Sequence, residues 1–187
     1  MTEIHDQTPK HWEILSEKLI APCRIFDVFS RHCRHPEGKE GDFVVLKLAN
    51  WALALPLTSN NELVLVHQYR FGADVLSWEV PGGLVNENED PIDTAVRELE
   101  EETGFTGHNP QVIGSCLPNP AFLNNRGHFI LIENCTKTNH TSWDDHEELE
   151  TKLVPIKTVW DMVSSGEIQN GVTLNALFAL KLHLEKR

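Results

Sequence analysis

The sequence predicts a mixed β-sheet flanked by helices, in the α/β (α+β) class, preceded by a β-rich arm. Three observations predict it. Short runs of alternating or continuous apolar residues recur between Glu13 and Pro155. A single strongly periodic helix is written into the middle of the chain, after Asp90. Two more helical patterns close the sequence. Strands interleaved with helices at this spacing stack as a sheet between helical layers.

The first stretch, EILSEKLIAPCRIFDVFSRHCRHP, is mostly extended, and EGKEGD turns it into FVVLKLAN. A glycine-bearing turn between alternating apolar runs predicts an antiparallel hairpin or a three-stranded arm. WALALPLT and ELVLVHQYR follow, joined by SNN. Their β-branched and aliphatic content predicts two core strands. Ser77–Val80 is a short strand entering the turn Pro81-Gly82-Gly83. Beyond the central helix, Gln111–Cys116, His128–Glu133 and Lys152–Pro155 are expected strands, and Ile156–Ser164 and Gly171–His183 expected helices. The boundary falls near residue 48, giving an arm over 1–48 and a main domain over 49–187. No repeat or low-complexity segment is present.

The central helix is locally well specified. Asp90 is a capping residue, Pro91 suits the first helical position, and Asp93 adds negative charge to the first turn. Gly104 supplies a left-handed stop after Thr103. Ile92, Ala95, Val96 and Leu99 make an apolar stripe at helical spacing. Beside it lie Glu98, Glu101 and Glu102 on one face, while Glu100 points the other way into solvent. Like charges at this spacing destabilise an isolated helix. A divalent cation reverses that cost, and hard oxygen ligands suit Mg²⁺ or Mn²⁺ better than Zn²⁺. An ion pair from Arg97 to Glu89 or Glu101 would hold the carboxylates in place. Taken alone, such an acidic run is more often a solvated helix face than a metal site.

Composition narrows the function classes. A chain of 187 residues, 24% charged and 40% hydrophobic, can bury a sizeable core. No apolar run is long enough to span a bilayer, and the first residues lack a secretory pattern. Cys23, Cys33, Cys116 and Cys135 form no CxxC pair, which predicts reduced thiols and a cytoplasmic protein. The cluster Cys23, His32, Cys33 and His35 matches no tetrahedral zinc spacing. Nucleophile elbow, P-loop and dinucleotide-binding glycine patterns are absent from the sequence. The net charge of −12 argues against nucleic acid polymers and anionic membranes as partners. It leaves room for an anionic small molecule bridged by metal and met by local arginines.

Gly83, Glu89, Arg97, Glu98, Leu99, Glu101, Glu102, Gly104 and Phe105 fill the pattern G-x5-E-x7-R-E-apolar-x-E-E-x-G-apolar without departure. This segment resembles the Nudix box of hydrolases that cleave nucleoside diphosphates linked to another group. The resemblance implies an α/β/α sandwich around a mixed sheet, and an enzyme rather than a solvated acidic helix. It implies Glu98 and Glu102 as main ligands of Mg²⁺ (with Mn²⁺ able to substitute), and Glu101 and the Gly82 carbonyl as further ligands.

The flanks resemble the ADP-ribose and nucleotide-sugar pyrophosphatases of that superfamily. WEVPGG, from Trp78 to Gly83, is similar to their E-x-P-x-G lead-in, and HQYR, ending at Arg70, to their Q-Y-R strand end. Arg70 is expected either on a phosphate or ribose, through its paired donors, or in a surface salt bridge. Trp78 and Glu79 alternate along one strand, so one of them faces the site. Pro120 and the stretch PNPAFLNNRGHF resemble the substrate loop, with Asn124 and Arg126 as candidates; Asn124 equally suits a turn. GEIQNGVTLNALFAL resembles the terminal helices. The arm resembles one that builds a homodimer in the subgroup, whose partner can contribute to substrate binding.

In similar ADP-ribose enzymes the general base lies outside the box, before the last strand. The corresponding segment here is SWDDHEELE. Glu147 is the first choice and Glu148 the second, ahead of Asp144 and Asp145; Glu101 remains if the base lies within the box. The expected reaction is Mg²⁺-dependent hydrolysis of the pyrophosphate bond of ADP-ribose or another nucleoside diphosphate sugar, yielding a nucleoside monophosphate and a sugar phosphate. Dinucleoside polyphosphates, nucleoside triphosphates and coenzyme A are alternative substrates, and a non-catalytic nucleotide-sugar sensor is the alternative role.

Overall fold

A computed structural model describes residues 8–143 and 148–187. The chain divides into two compact units. The smaller comprises the chain up to Leu48 together with Asn119–Asn124. Its strands β1 (Glu13–Pro22), β2 (Asp27–Arg34) and β3 (Glu40–Lys47) form an antiparallel sheet in the order β1-β2-β3. Glu17 on β1 ties all three together, pairing with Arg31 on β2 and Lys47 on β3. Asn119–Asn124 runs along β3: Leu46 donates to the Phe122 carbonyl at 2.8 Å, and the Asn124 side chain accepts from the Leu48 N–H at 3.0 Å. Ile14, Leu19, Ile20, Ile25, Phe43 and Val44 are all exposed, an unusual apolar load for so small a sheet.

The larger unit comprises Ala49–Pro118 and Asn125–Arg187. Its strands are β4 (Trp51–Leu57), β5 (Glu62–Arg70), β6 (Val75–Glu79), β7 (Gly82–Leu84), β8 (Phe105–Cys116), β9 (Gly127–Lys137) and β10 (Glu150–Pro155). Helices α1 (Pro91–Thr103), α2 (Ile156–Ser165) and α3 (Gly171–Leu184) complete it. The main strand order is β10-β5-β4-β9-β8. The β4–β9 pair is parallel and the others antiparallel, so the sheet is mixed, as the sequence predicts.

Alternation along β4 explains the layering. Ala52 and Ala54 point to one face, where they join Val64, Ile130 and Ile132 beneath Ala95 and Leu99 of α1. Leu53, Leu55 and Leu57 point to the other, against Val159 and Met162 of α2 and Ala176, Leu177 and Leu180 of α3. The small alanines let α1 lie close to the sheet.

The sheet is split where the site forms. β4 and β5 pair only at Leu57↔Leu63. Beyond that point β5 pairs with β6 and β4 with β7, with Leu53 opposite Gly82. Pro81 joins the two, and its carbonyl accepts from Ala54 N–H at 2.8 Å.

Three local expectations need correction. Gly82–Leu84, expected as part of a turn, pairs as a strand. β8 begins at Phe105 rather than Gln111, because register shifts and the left-handed Asn109 break its alternation without ending its pairing. Val96 is 37% exposed and leaves the α1 stripe; Thr94, Ala95, Leu99, Glu102 and Thr103 are the buried residues. Among the described residues, no helix is long and apolar enough to cross a membrane. The four cysteines are free thiols.

Candidate active site

The ends of α1 form as their sequence dictates. The Asp90 side chain accepts from the Ile92 N–H at 2.8 Å, Pro91 opens the first turn, and Gly104 closes the helix at φ 72°. This fixes the phase of the helix, and so the direction in which the glutamates project.

Arg97 is the hub of the acidic face. Its guanidinium donates to Glu89 at 3.0 Å, to Glu98 at 2.9 Å and to Glu101 at 2.8 Å. The expected pairs to Glu89 and Glu101 are thus both made, and Glu98 is added. Glu89 also accepts from the Asn86 backbone and side chain. The Arg97 hydrogen bonds hold the Glu89 carboxyl down to about 2, and the same contacts raise the Arg97 pKa. Three box carboxylates thus share one guanidinium.

Glu102 lies deeper. It is 3% exposed, and its carboxylate accepts from the Gly82 N–H at 3.2 Å. Glu98 packs its carboxylate against Gly83, where a built Cβ would fall 2.5 Å from Glu98 Cδ. Gly82 is needed for another reason: its Cβ would meet Leu53 Cα at 2.9 Å in the paired strand β4. Two carboxylates from successive turns of α1 thus converge on one glycine pair at the split in the sheet.

Glu98, Glu101, Glu102 and the glycine backbone offer oxygen donors only, the donor type that suits a hard divalent cation. Among the described residues, no three His, Cys, Asp or Glu side chains are drawn close enough to form a metal cluster. The carboxylates are instead engaged by Arg97 and by Gly82.

A family model for the NUDIX domain matches residues 48–173, which include this whole arrangement. The chain belongs to the Nudix family. It is one of that family's pyrophosphohydrolases, a group that generally uses divalent metal ions.

An ADP-ribose pyrophosphatase of Bacillus subtilis (strain 168) is 29% identical to the Nudix chain over 174 residues, covering 90% of this chain and 94% of that protein. A CMP-5'-(N-acetyl-N-hydroxy-3-aminopropyl)phosphonate hydrolase of Streptomyces rubellomurinus (strain ATCC 31215) is 25% identical over 172 residues, covering 91% and 83%. A crystal structure of an ADP compounds hydrolase shares the fold, with a TM-score of 0.83 at 18% identity, over 96% of this chain and 97% of that one.

The other expected residues of the Nudix site distribute as follows. Arg70 and Glu79 form a fork-to-fork pair at 2.8 and 2.6 Å. Glu79 is opposite Val66, two residues from Val64 of the α1 face, so the pair belongs to that face. Strand alternation sends Trp78 to the α2–α3 face, where it stacks on His67 at 4.4 Å. Arg126 donates to the Ser115 hydroxyl at 3.1 Å. Asn124 lies in the smaller unit, with its side chain engaged by Leu48. Glu148 is exposed. Glu147, Asp144 and Asp145 lie outside the described residues.

Sequence reasoning missed two groups. Glu100, expected in solvent, accepts from Asn139 Nδ2 at 2.6 Å. Trp143 donates its indole N–H to the Glu102 carbonyl at 3.0 Å. Both contacts join residues about forty positions apart, and no periodic signal reports them.

The glycine pair yields a test that separates site from fold. In Gly83→Ala the new methyl meets the movable end of the Glu98 side chain rather than backbone. The melting temperature should therefore change little, while kcat falls by about 10- to 100-fold, the scale for disturbing the support of a metal site. Unchanged kcat by steady-state assay would show that the Glu98 position is not critical.

Proposed function

We propose that this Nudix enzyme hydrolyses the pyrophosphate bond of ADP-ribose or another nucleoside diphosphate sugar, with Mg²⁺ as its metal. The observation that carries the reading is the convergence of Glu98 and Glu102 on Gly82 and Gly83 beside the Arg97 hub. The near full-length likeness to the Bacillus subtilis ADP-ribose pyrophosphatase supports the substrate class.

Glu98 and Glu102, with Glu101 and the Gly82 carbonyl, would hold the metal. Bound there, Mg²⁺ supplies charge neutralisation to a diphosphate and acidity to a coordinated water. Arg97 holds the Glu89, Glu98 and Glu101 carboxylates in place by hydrogen bonds. Buried Glu79 holds the Arg70 guanidinium, which would meet a substrate anion. Glu147 takes the proton of the attacking water; Glu148 is the second choice. Water adds to one phosphorus as the bridging oxygen leaves, giving a nucleoside monophosphate and a sugar phosphate. The exposed apolar residues of the arm support a homodimer built through residues 1–48, and the free thiols support a reducing, cytoplasmic setting.

The test is a substrate panel with and without Mg²⁺. It should contain ADP-ribose, other nucleoside diphosphate sugars, a dinucleoside polyphosphate, coenzyme A and a cytidylyl phosphonate. The last is included because of the likeness to the Streptomyces hydrolase. ADP-ribose or another diphosphate sugar should give the highest kcat/KM; preference for the phosphonate would move the substrate class. Glu147→Gln should lower kcat by about 100-fold or more, the scale of general-base loss. Full activity of that variant would return the base to Glu101 or Glu148.

A further inference from the structure

The C-terminal end of α1 carries an electrostatic problem. Glu98, Glu100, Glu101 and Glu102 crowd its last turns, and no basic residue accompanies them in the final turn. The helix dipole places partial negative charge at the same end, and the last carbonyls lack partners within the helix.

The segment after β9 answers this with donors. Thr138 and Asn139 each give a backbone N–H to the Gly104 carbonyl at 3.0 Å. Asn139 Nδ2 reaches the Glu100 carboxylate at 2.6 Å, and the Ser142 N–H reaches the Glu101 carbonyl at 2.8 Å. The last donor is the Trp143 indole N–H, on the Glu102 carbonyl at 3.0 Å. Glu102 is thus held at both ends, its carbonyl by Trp143 and its carboxylate by Gly82.

Trp143 is 42% exposed, so much of its ring stays in solvent while its indole N–H is held by the Glu102 carbonyl. We propose that Trp143 is a positioning residue, whose indole N–H fixes the Glu102 backbone so that its carboxylate stays directed at the glycine pair. This deepens the metal reading and rests on it. In the sequence, the acidic run DDHEELE, which carries the proposed base, begins at the next residue.

The experiment is an Mn²⁺ titration of the full chain without substrate, read by electron paramagnetic resonance, on wild type, Trp143→Phe and Trp160→Phe. Phenylalanine keeps an aromatic ring and removes only the donor. Loss of one such bond should weaken Mn²⁺ binding by about 3- to 10-fold in Trp143→Phe, while Trp160→Phe, altered in the α2 core, stays at the wild-type value. In turnover assays the Mn²⁺ requirement should shift by the same factor, with KM for the diphosphate at saturating Mn²⁺ within about twofold.

Unchanged Mn²⁺ affinity in folded Trp143→Phe overturns the proposal, as does an equal loss in Trp160→Phe. If Trp143→Phe is poorly folded by circular dichroism, Ser142→Pro is the second variant. It removes the neighbouring N–H donor to Glu101, and normal Mn²⁺ affinity there overturns the anchoring role of the segment. Wild type that binds Mn²⁺ yet cleaves no diphosphate would sink only the function, since the titration still decides the role of Trp143. Wild type that binds no Mn²⁺ sinks the proposal together with the metal reading.

Discussion

Glu98→Gln should fold normally and lose turnover by well over 100-fold, beyond the loss expected for residues that merely support a metal ligand. The substitution keeps the shape of the side chain and removes its charge. Arg97 retains its bonds to Glu89 and Glu101, so the ionic frame of the helix survives. The α1 core of Ala95 and Leu99 is untouched. Stability should therefore move by less than about 1 kcal/mol, as for a partly exposed ion pair. Calorimetric Mn²⁺ binding should weaken in parallel with kcat. Near-normal kcat with weakened metal binding, or the reverse, would separate Glu98 from the chemistry assigned to it.

Arg97→Met should be the most destabilising of the variants considered. It leaves Glu89, Glu98 and Glu101 without the cation they share. A fully buried pair broken in this way costs about 3–5 kcal/mol. Arg97 is 32% exposed, so solvent screens part of the loss, and on the order of 2 kcal/mol is expected at pH 7.

The pH dependence of that loss has a definite sign. The folded Glu89 carboxyl sits at about 2, against an ordinary value of 4.5. A depressed carboxyl contributes stability that is complete above the unfolded value and is lost as pH falls through the folded one. The gap between wild type and Arg97→Met should thus be full at pH 7, narrow below about 4.5 and close near 2. Urea unfolding at pH 7 and pH 3.5 measures it. A gap that is equal at both, or absent at pH 7, would remove Arg97 as the organiser of the box.

What the sequence made legible was local. Asp90, Pro91 and Gly104 act within one or two turns of the helix they bound, and the Arg97 pairs reach at most eight residues. The mixed sheet was legible from the alternation of β4, β5, β9 and β10. Its registers were not. The parallel pairing of Trp51 with Gly127 joins distant segments, and nothing in either strand names the other. β7 was missed because a short strand containing two glycines carries no side-chain pattern. The first half of β8 was hidden by bulges and by Asn109, whose left-handed conformation reads as a turn. Trp78 and Glu79 could not be told apart by alternation alone, because both faces of that strand are covered. The contact from Trp143 to Glu102 is tertiary and has no periodic trace.

The division of labour between β6 and β7 has an evolutionary consequence. Each follows a different neighbour, β5 or β4, and Pro81 is the joint between them. The hairpin tip at Phe71–Asp74 is exposed, and a side chain added at Gly72 would meet open space. Gly82 pairs with β4 and not with β5, so no ladder bond joins it to that hairpin. Insertions there are thus open to natural variation without unpairing the glycine pair from β4.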